Sequence, residues 1–127
     1  MKKTLLVVDD NPDVTFTIKS LLEGESGDYK VIIAESGEKC LELLNDDFIP
    51  DAILMDIMMP DMDGMETYER IRENDKWSNI PVLFLTARTD HFIKGAGQFL
   101  GDDFIKKPFE IDDVKIRIER AIARHND

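Results

Sequence analysis

Short aliphatic runs alternate along the whole chain with stretches whose apolar residues recur three and four positions apart. The first run is Thr4-Leu5-Leu6-Val7-Val8. Asn11-Pro12 punctuates it, and proline suits a helix start because its missing N–H has no partner there. Val14, Ile18, Leu21 and Leu22 then follow at helical spacing until Gly24 and Gly27 interrupt. Residues 29–34 form a second strand. Ser36 offers a helix cap, and Cys40, Leu41 and Leu44 make the inner stripe of a second helix.

The alternation continues in the second half. Ala52-Ile53-Leu54-Met55 is a compact third strand that ends at Asp56. A loop with Pro60 and Gly64 leads to a third helix, with Met65, Tyr68 and Ile71 inward. Residues 80–85 read as the fourth strand, ending at Thr86. A fourth helix carries Phe92, Ile93, Ala96 and Phe99, although Gly95 and Gly97 weaken it by propensity. Asp103-Phe104-Ile105-Lys106 is a short fifth strand cut off by Pro108, and Ile111, Val114, Ile118 and Ile122 define a last helix. Five strands interleaved with five helices predict an α/β fold with a parallel sheet covered on both faces. Right-handed crossovers then favour a doubly wound arrangement.

Size and charge narrow the function. At 127 residues the chain is expected to be one domain, 1–127, and 43% hydrophobic content is enough for a core. The formal net charge of −11 opposes direct binding to nucleic acid, whose phosphates call for Lys and Arg. A single cysteine, Cys40, fits a reducing compartment and a small core residue. The apolar run after Lys3 stops at Asp9, too short for a signal peptide, and no stretch is long enough to span a bilayer. A soluble, cytoplasmic protein is expected. His91 and His125 have no partner pattern and read as surface residues. Trp77 reads as an anchor in a loop or at a helix end. Lys115, Arg117, Arg120 and Arg124 read as a solvated face, or with Lys94 and Asp102 as a pairing surface.

In doubly wound sheets, ligands bind outside the carboxyl ends of the strands. The residues that follow the strands are therefore informative. The first strand delivers Asp9-Asp10, the third Asp56, the fourth Thr86, and the fifth Lys106-Lys107-Pro108. Three crowded carboxylates resist ionising unless a cation neutralises them. Hard oxygen ligands suit Mg²⁺, which leaves coordination positions for phosphate oxygens. An opposing lysine adds a point charge for those oxygens. Such a cluster equips Asp56 to attack phosphorus and form an acyl phosphate.

Val7-Val8-Asp9-Asp10-Asn11, the segment from Leu54 to Gly64 (Leu-Met-Asp-Ile-Met-Met-Pro-Asp-Met-Asp-Gly), Leu85-Thr86-Ala87 and Lys107-Pro108-Phe109 closely resemble the motifs of response-regulator receiver domains. The resemblance runs through essentially the full length. It implies a flavodoxin-like sheet of order 2-1-3-4-5, an order known for chemotaxis receivers, and a two-component phosphoacceptor, not a turnover enzyme. By position, Asp56 is the phosphoacceptor and Mg²⁺ is held by Asp10, by Asp9 mainly through water, by Asp56 and by the Met58 carbonyl. Thr86 is the switch hydroxyl, Ala87 leaves room for the phosphoryl group, Phe104 is the switch aromatic and Lys107 pairs with phosphate. The Lys107-Pro108 peptide is expected to be cis.

Partners implied by the resemblance are a sensor histidine kinase or phosphotransfer protein upstream, and a separate downstream protein or fused output domain. A homodimer through the fourth helix, fifth strand and last helix is a further expectation, with no membrane contact. Three features depart from the pattern or complicate it. No small residue separates Gly101 from Asp102-Asp103, Phe104 lacks the hydroxyl of the commoner tyrosine, and Lys106 adjoins Lys107. Strand alternation should send Lys106 to the other face.

Rival classes are less well equipped. A phosphatase of the haloacid-dehalogenase type needs a carboxylate two residues after its nucleophile, and Met58 stands there. Without a base to activate water, slow dephosphorylation is expected, because Met58 and Arg88 flank the water path with no carboxylate. A flavodoxin-like FMN carrier would meet repulsion from Asp9, Asp10 and Asp13. A receiver that only docks would not need the complete cluster.

Overall fold

The computed structural model describes residues 2–24, 27–87 and 102–126. Within them, β1 (Lys3–Val8), α1 (Pro12–Glu23), β2 (Tyr29–Ala34), α2 (Gly37–Asn45), β3 (Ala52–Met55), α3 (Gly64–Glu73), β4 (Val82–Thr86), β5 (Asp103–Lys106) and a C-terminal helix (Ile111–Asn126) follow in order. The five strands form one parallel sheet in the order β2-β1-β3-β4-β5. This is the flavodoxin-like arrangement expected. The expected helix around Phe92, Ile93, Ala96 and Phe99 lies outside the described residues. So do Arg88, His91, Lys94 and Gly101.

Alternation along the strands supplies both layers of core. Leu6 and Val8 of β1, Ile53 and Met55 of β3, and Phe84 of β4 face Cys40, Leu44, Tyr68 and Ile71 from α2 and α3. Leu5, Val7, Leu54, Leu83 and Leu85 face Ile18 and Leu22 of α1 and Val114 and Ile118 of the C-terminal helix. Burial on both sides explains why β3 carries four consecutive apolar residues. Cys40 lies fully in the core, where burial pushes its thiol up to about 12 and keeps it inert.

Local signals set the helix starts. The Asn11 side chain caps α1 by accepting from the Asp13 N–H, with Pro12 in the first turn. Ser36 and Asp63 cap α2 and α3 by accepting from the amides of Lys39 and Glu66. The fourth strand begins at Val82, two residues later than its apolar run suggests. Ile80 N–H is already used in a turn to Trp77 O, and Pro81 has no N–H to give. Trp77 is buried against the α2–α3 side of the core, as an anchor just beyond α3.

Candidate functional site

The sheet order brings β1 and β3 side by side, so the residues that follow them meet at one carboxyl edge. Asp56 N–H donates to the last β1 carbonyl, Val8 O, at 2.9 Å, and Asp9 N–H donates to Ala34 O at 3.1 Å. Each aspartate thus extends a strand ladder by one residue and is fixed by it. Oxygens from Asp9, Asp10 and Asp56 all lie within 4.8 Å of one another. Asp9 and Asp56 are only 2% and 8% exposed, while Asp10 opens to solvent. The cluster is therefore closed behind and accessible in front.

Lys107 stands across from it. Its ammonium is 3.0 Å from Asp9 Oδ2 and 3.4 Å from Asp56 Oδ2. Lys106 is exposed, and it is Lys107 that reaches the carboxylates. The Lys107-Pro108 peptide is cis. Met58 N–H donates to Asp56 Oδ1 at 3.2 Å, and Asn11 N–H donates to Asp9 Oδ1 at 2.9 Å. Met58 is 54% exposed at the rim. Burial, and next the charge of Asp9, push the Asp56 carboxyl above its ordinary value, against the opposing pull of Lys107 and the Met58 amide.

These residues suit a hard divalent cation. The donors are all oxygens, and three carboxylates against one ammonium leave two negative charges to be neutralised.

Thr86 ends β4 at the same edge, next to β5. Its side chain is outside the described residues. Phe104 stacks on Phe84 with ring centroids 5.4 Å apart and is partly buried against the core.

Two features were not anticipated. Gly64 opens α3 directly beneath the site, its N–H donating to Ile57 O at 2.9 Å. A Cβ there would meet the Asp56 carbonyl and lie 2.8 Å from Ile57 Cα. The close approach of α3 to the Asp56 backbone thus rests on one glycine, which the sequence places in the loop before the helix and at the end of the receiver-like motif without revealing that contact. The second is a correction. His125 is not a free surface residue: its Nε2 lies 2.7 Å from Asp102 Oδ1, and its side chain is 20% exposed. The C-terminal helix carries it back to the start of β5. Arg117 and Arg124 are likewise engaged, by Asp103, Asp113 and the Asp102 carbonyl, so that face is not simply solvated.

A doubly wound parallel sheet with clustered carboxylates and a lysine at its carboxyl edge defines a class of α/β domains with an acidic pocket suited to a divalent cation. Comparison with known proteins gives the family. The model of the response regulator receiver domain matches residues 5–119, and the chain belongs to that family: it is a receiver domain of two-component response regulators. The transcriptional regulatory protein CpxR of Escherichia coli (strain K12) is 39% identical over 123 residues, covering 96% of this chain and 50% of CpxR. Histidine kinase P4 of Formosa agariphila is 36% identical over 122 residues, covering 95% of this chain and 9% of the kinase. The chain therefore spans half of CpxR and a small part of the kinase. A crystal structure of a putative response regulator from Chloroflexus aurantiacus superposes with a TM-score of 0.88 at 33% identity, covering 98% of this chain and all of the other. No helix among the described residues is long and apolar enough to cross a membrane.

Proposed function

We propose that this chain receives a phosphoryl group on Asp56 and that the modification switches its contacts with other proteins. The observation that carries this reading is the convergence of Asp9, Asp10 and Asp56 on one point, with Lys107 opposite. An Asp56 oxygen attacks phosphorus of the donor. The new O–P bond forms as the donor's bond breaks, and the leaving group departs with the electron pair. Lys107 turns its ammonium from the carboxylates to the incoming phosphoryl oxygens, while Met58 N–H holds the other Asp56 oxygen in place. Asp9, Asp10, Asp56 and the Met58 carbonyl are the residues that would hold Mg²⁺. Bound there, the ion supplies positive charge that screens the anionic donor from the carboxylates and stabilises the transferring group.

After transfer, Thr86 is assigned the hydrogen bond to a phosphoryl oxygen, and Phe104 is assigned an inward shift toward the space Thr86 vacates. The partners are a sensor histidine kinase or phosphotransfer protein, which places the chain in the cytoplasm, and a downstream protein or fused output domain. Residues 1–127 act as one receiver unit. Self-association through β5, the C-terminal helix and the segment before β5 is part of the reading, and direct nucleic-acid binding is not. Met58 offers no base to activate water, so the acyl phosphate persists well beyond seconds.

The test is incubation with a small phosphodonor such as acetyl phosphate and Mg²⁺, followed by intact mass measurement. One phosphoryl group per chain is expected, located at Asp56 by peptide mapping. Equal labelling of Asp56→Asn would overturn the site assignment, and a phosphoryl half-life of seconds would overturn the persistence.

A further inference from the structure

We propose that Lys19 and Glu23 of α1 cap the outer edge of the sheet and keep a second copy of this chain from adding a strand there. β2 is the outermost strand on its side of the sheet. Asp9 N–H bonds to Ala34 O, and Lys3 N–H bonds to Asp28 O, so even-numbered residues turn their peptide groups toward β1. Tyr29, Val31 and Ile33 turn theirs outward, and Val31 is the middle one. Both its outward groups are taken by side chains. Val31 N–H donates to Glu23 Oε2 at 2.8 Å, and Lys19 Nζ donates to Val31 O at 2.7 Å. The two side chains pair with each other at 2.9 Å.

Helix stability does not account for this placement. Lysine four residues ahead of glutamate is the weaker order for a helical ion pair. Glu23 also puts a negative charge in the last turn of α1, against the helix dipole, and no basic residue occupies that turn. The strand accounts for both. A bond from the Val31 amide, and next Lys19, holds the Glu23 carboxyl below its ordinary value. The protected run, Val31-Ile32-Ile33-Ala34, is uncharged and opens with three β-branched residues, the composition that pairs edge to edge when left open. A second copy brings the same run, so it is the occupant that the cap excludes.

The full chain with Lys19→Ala and Glu23→Ala is compared with the unmodified chain by light scattering across a concentration series. Backbone amide exchange is measured in dilute solution. Expected results are assemblies larger than any formed by the unmodified chain and exchange at Val31 faster by about tenfold. Lys19→Gln with Glu23→Gln keeps one acceptor and one donor for Val31 and is expected to match the unmodified chain. Should the alanine pair lose its helical signal in circular dichroism, Glu23→Ala alone carries the test, with smaller assemblies expected. A folded alanine variant with the unmodified mass distribution at every concentration overturns the cap. So does a glutamine pair that assembles as much as the alanine pair, which would assign the effect to lost charge.

Discussion

Two aspartates sit at opposite ends of the same sheet with similar shielding: the side chain of Asp56 is 10% exposed and that of Asp102 12%. Their surroundings differ in kind. Asp102 has His125 on one oxygen. On the other it has the Val82 amide at 2.8 Å and the Arg72 guanidinium at 3.8 Å, while its own backbone bonds Val82 and Arg124. It ties the starts of β4 and β5 to α3 and the C-terminal helix. Asp56 faces two other carboxylates and shares one lysine with Asp9. Burial alone does not distinguish a structural aspartate from one proposed to react. The balance of charge around it does, since the Asp102 carboxylate is met by an imidazole, an amide and a guanidinium whereas Asp56 is left in need of one more cation.

The sharpest way to break this contrast is substitution at each end. Asp56→Asn is expected to abolish phosphoryl labelling, while Asp102→Asn labels as fast as the unmodified chain. Next in size, Lys107→Ala should slow labelling by about 100-fold, because it removes the charge proposed to meet the phosphoryl oxygens. Lys106→Ala should stay within about twofold, since its side chain is exposed and it is Lys107 that pairs with Asp9 and Asp56. A larger loss at Lys106 would reverse the assignment of the two lysines.

Stability should respond the other way round. Asp102→Ala is expected to cost about 3 kcal/mol in urea unfolding, because it strands side-chain partners from three elements: Val82 of β4, Arg72 of α3 and His125 of the C-terminal helix. Asp56→Asn is expected to raise the melting temperature in metal-free buffer at neutral pH. The sign follows from linkage. A carboxyl raised by folding contributes most below its unfolded value, and that contribution is lost as pH rises through the folded value. The advantage of Asp56→Asn should therefore shrink as the buffer is made acidic, and an advantage that grows in acid would contradict it.

Much of the carboxyl edge was legible because its chemistry is local. Asp9, Asp56 and Thr86 each end or follow a strand, and Lys107 follows β5. Asn11-Pro12 and Ser36 likewise announce helix starts in adjacent residues. What escaped was long-range. The pairing of His125 with Asp102 spans 23 residues and depends on the length of the C-terminal helix relative to the sheet. The role of Gly64 depends on how closely α3 passes the backbone of Asp56, which spacing does not encode. The late start of β4 shows a backbone constraint overriding an apolar pattern, since Pro81 cannot join the ladder as a donor.

Mg²⁺ titration of the full chain, followed by backbone amide NMR shifts, tests the central claim most directly. A single saturable event is expected, with the largest shifts at Asp10, Asp56 and Met58, little change at Val82 and Asp102, and loss of the event in Asp56→Asn. Amides at the carboxyl edge that ignore the ion, or shifts centred on Asp102, would contradict the account.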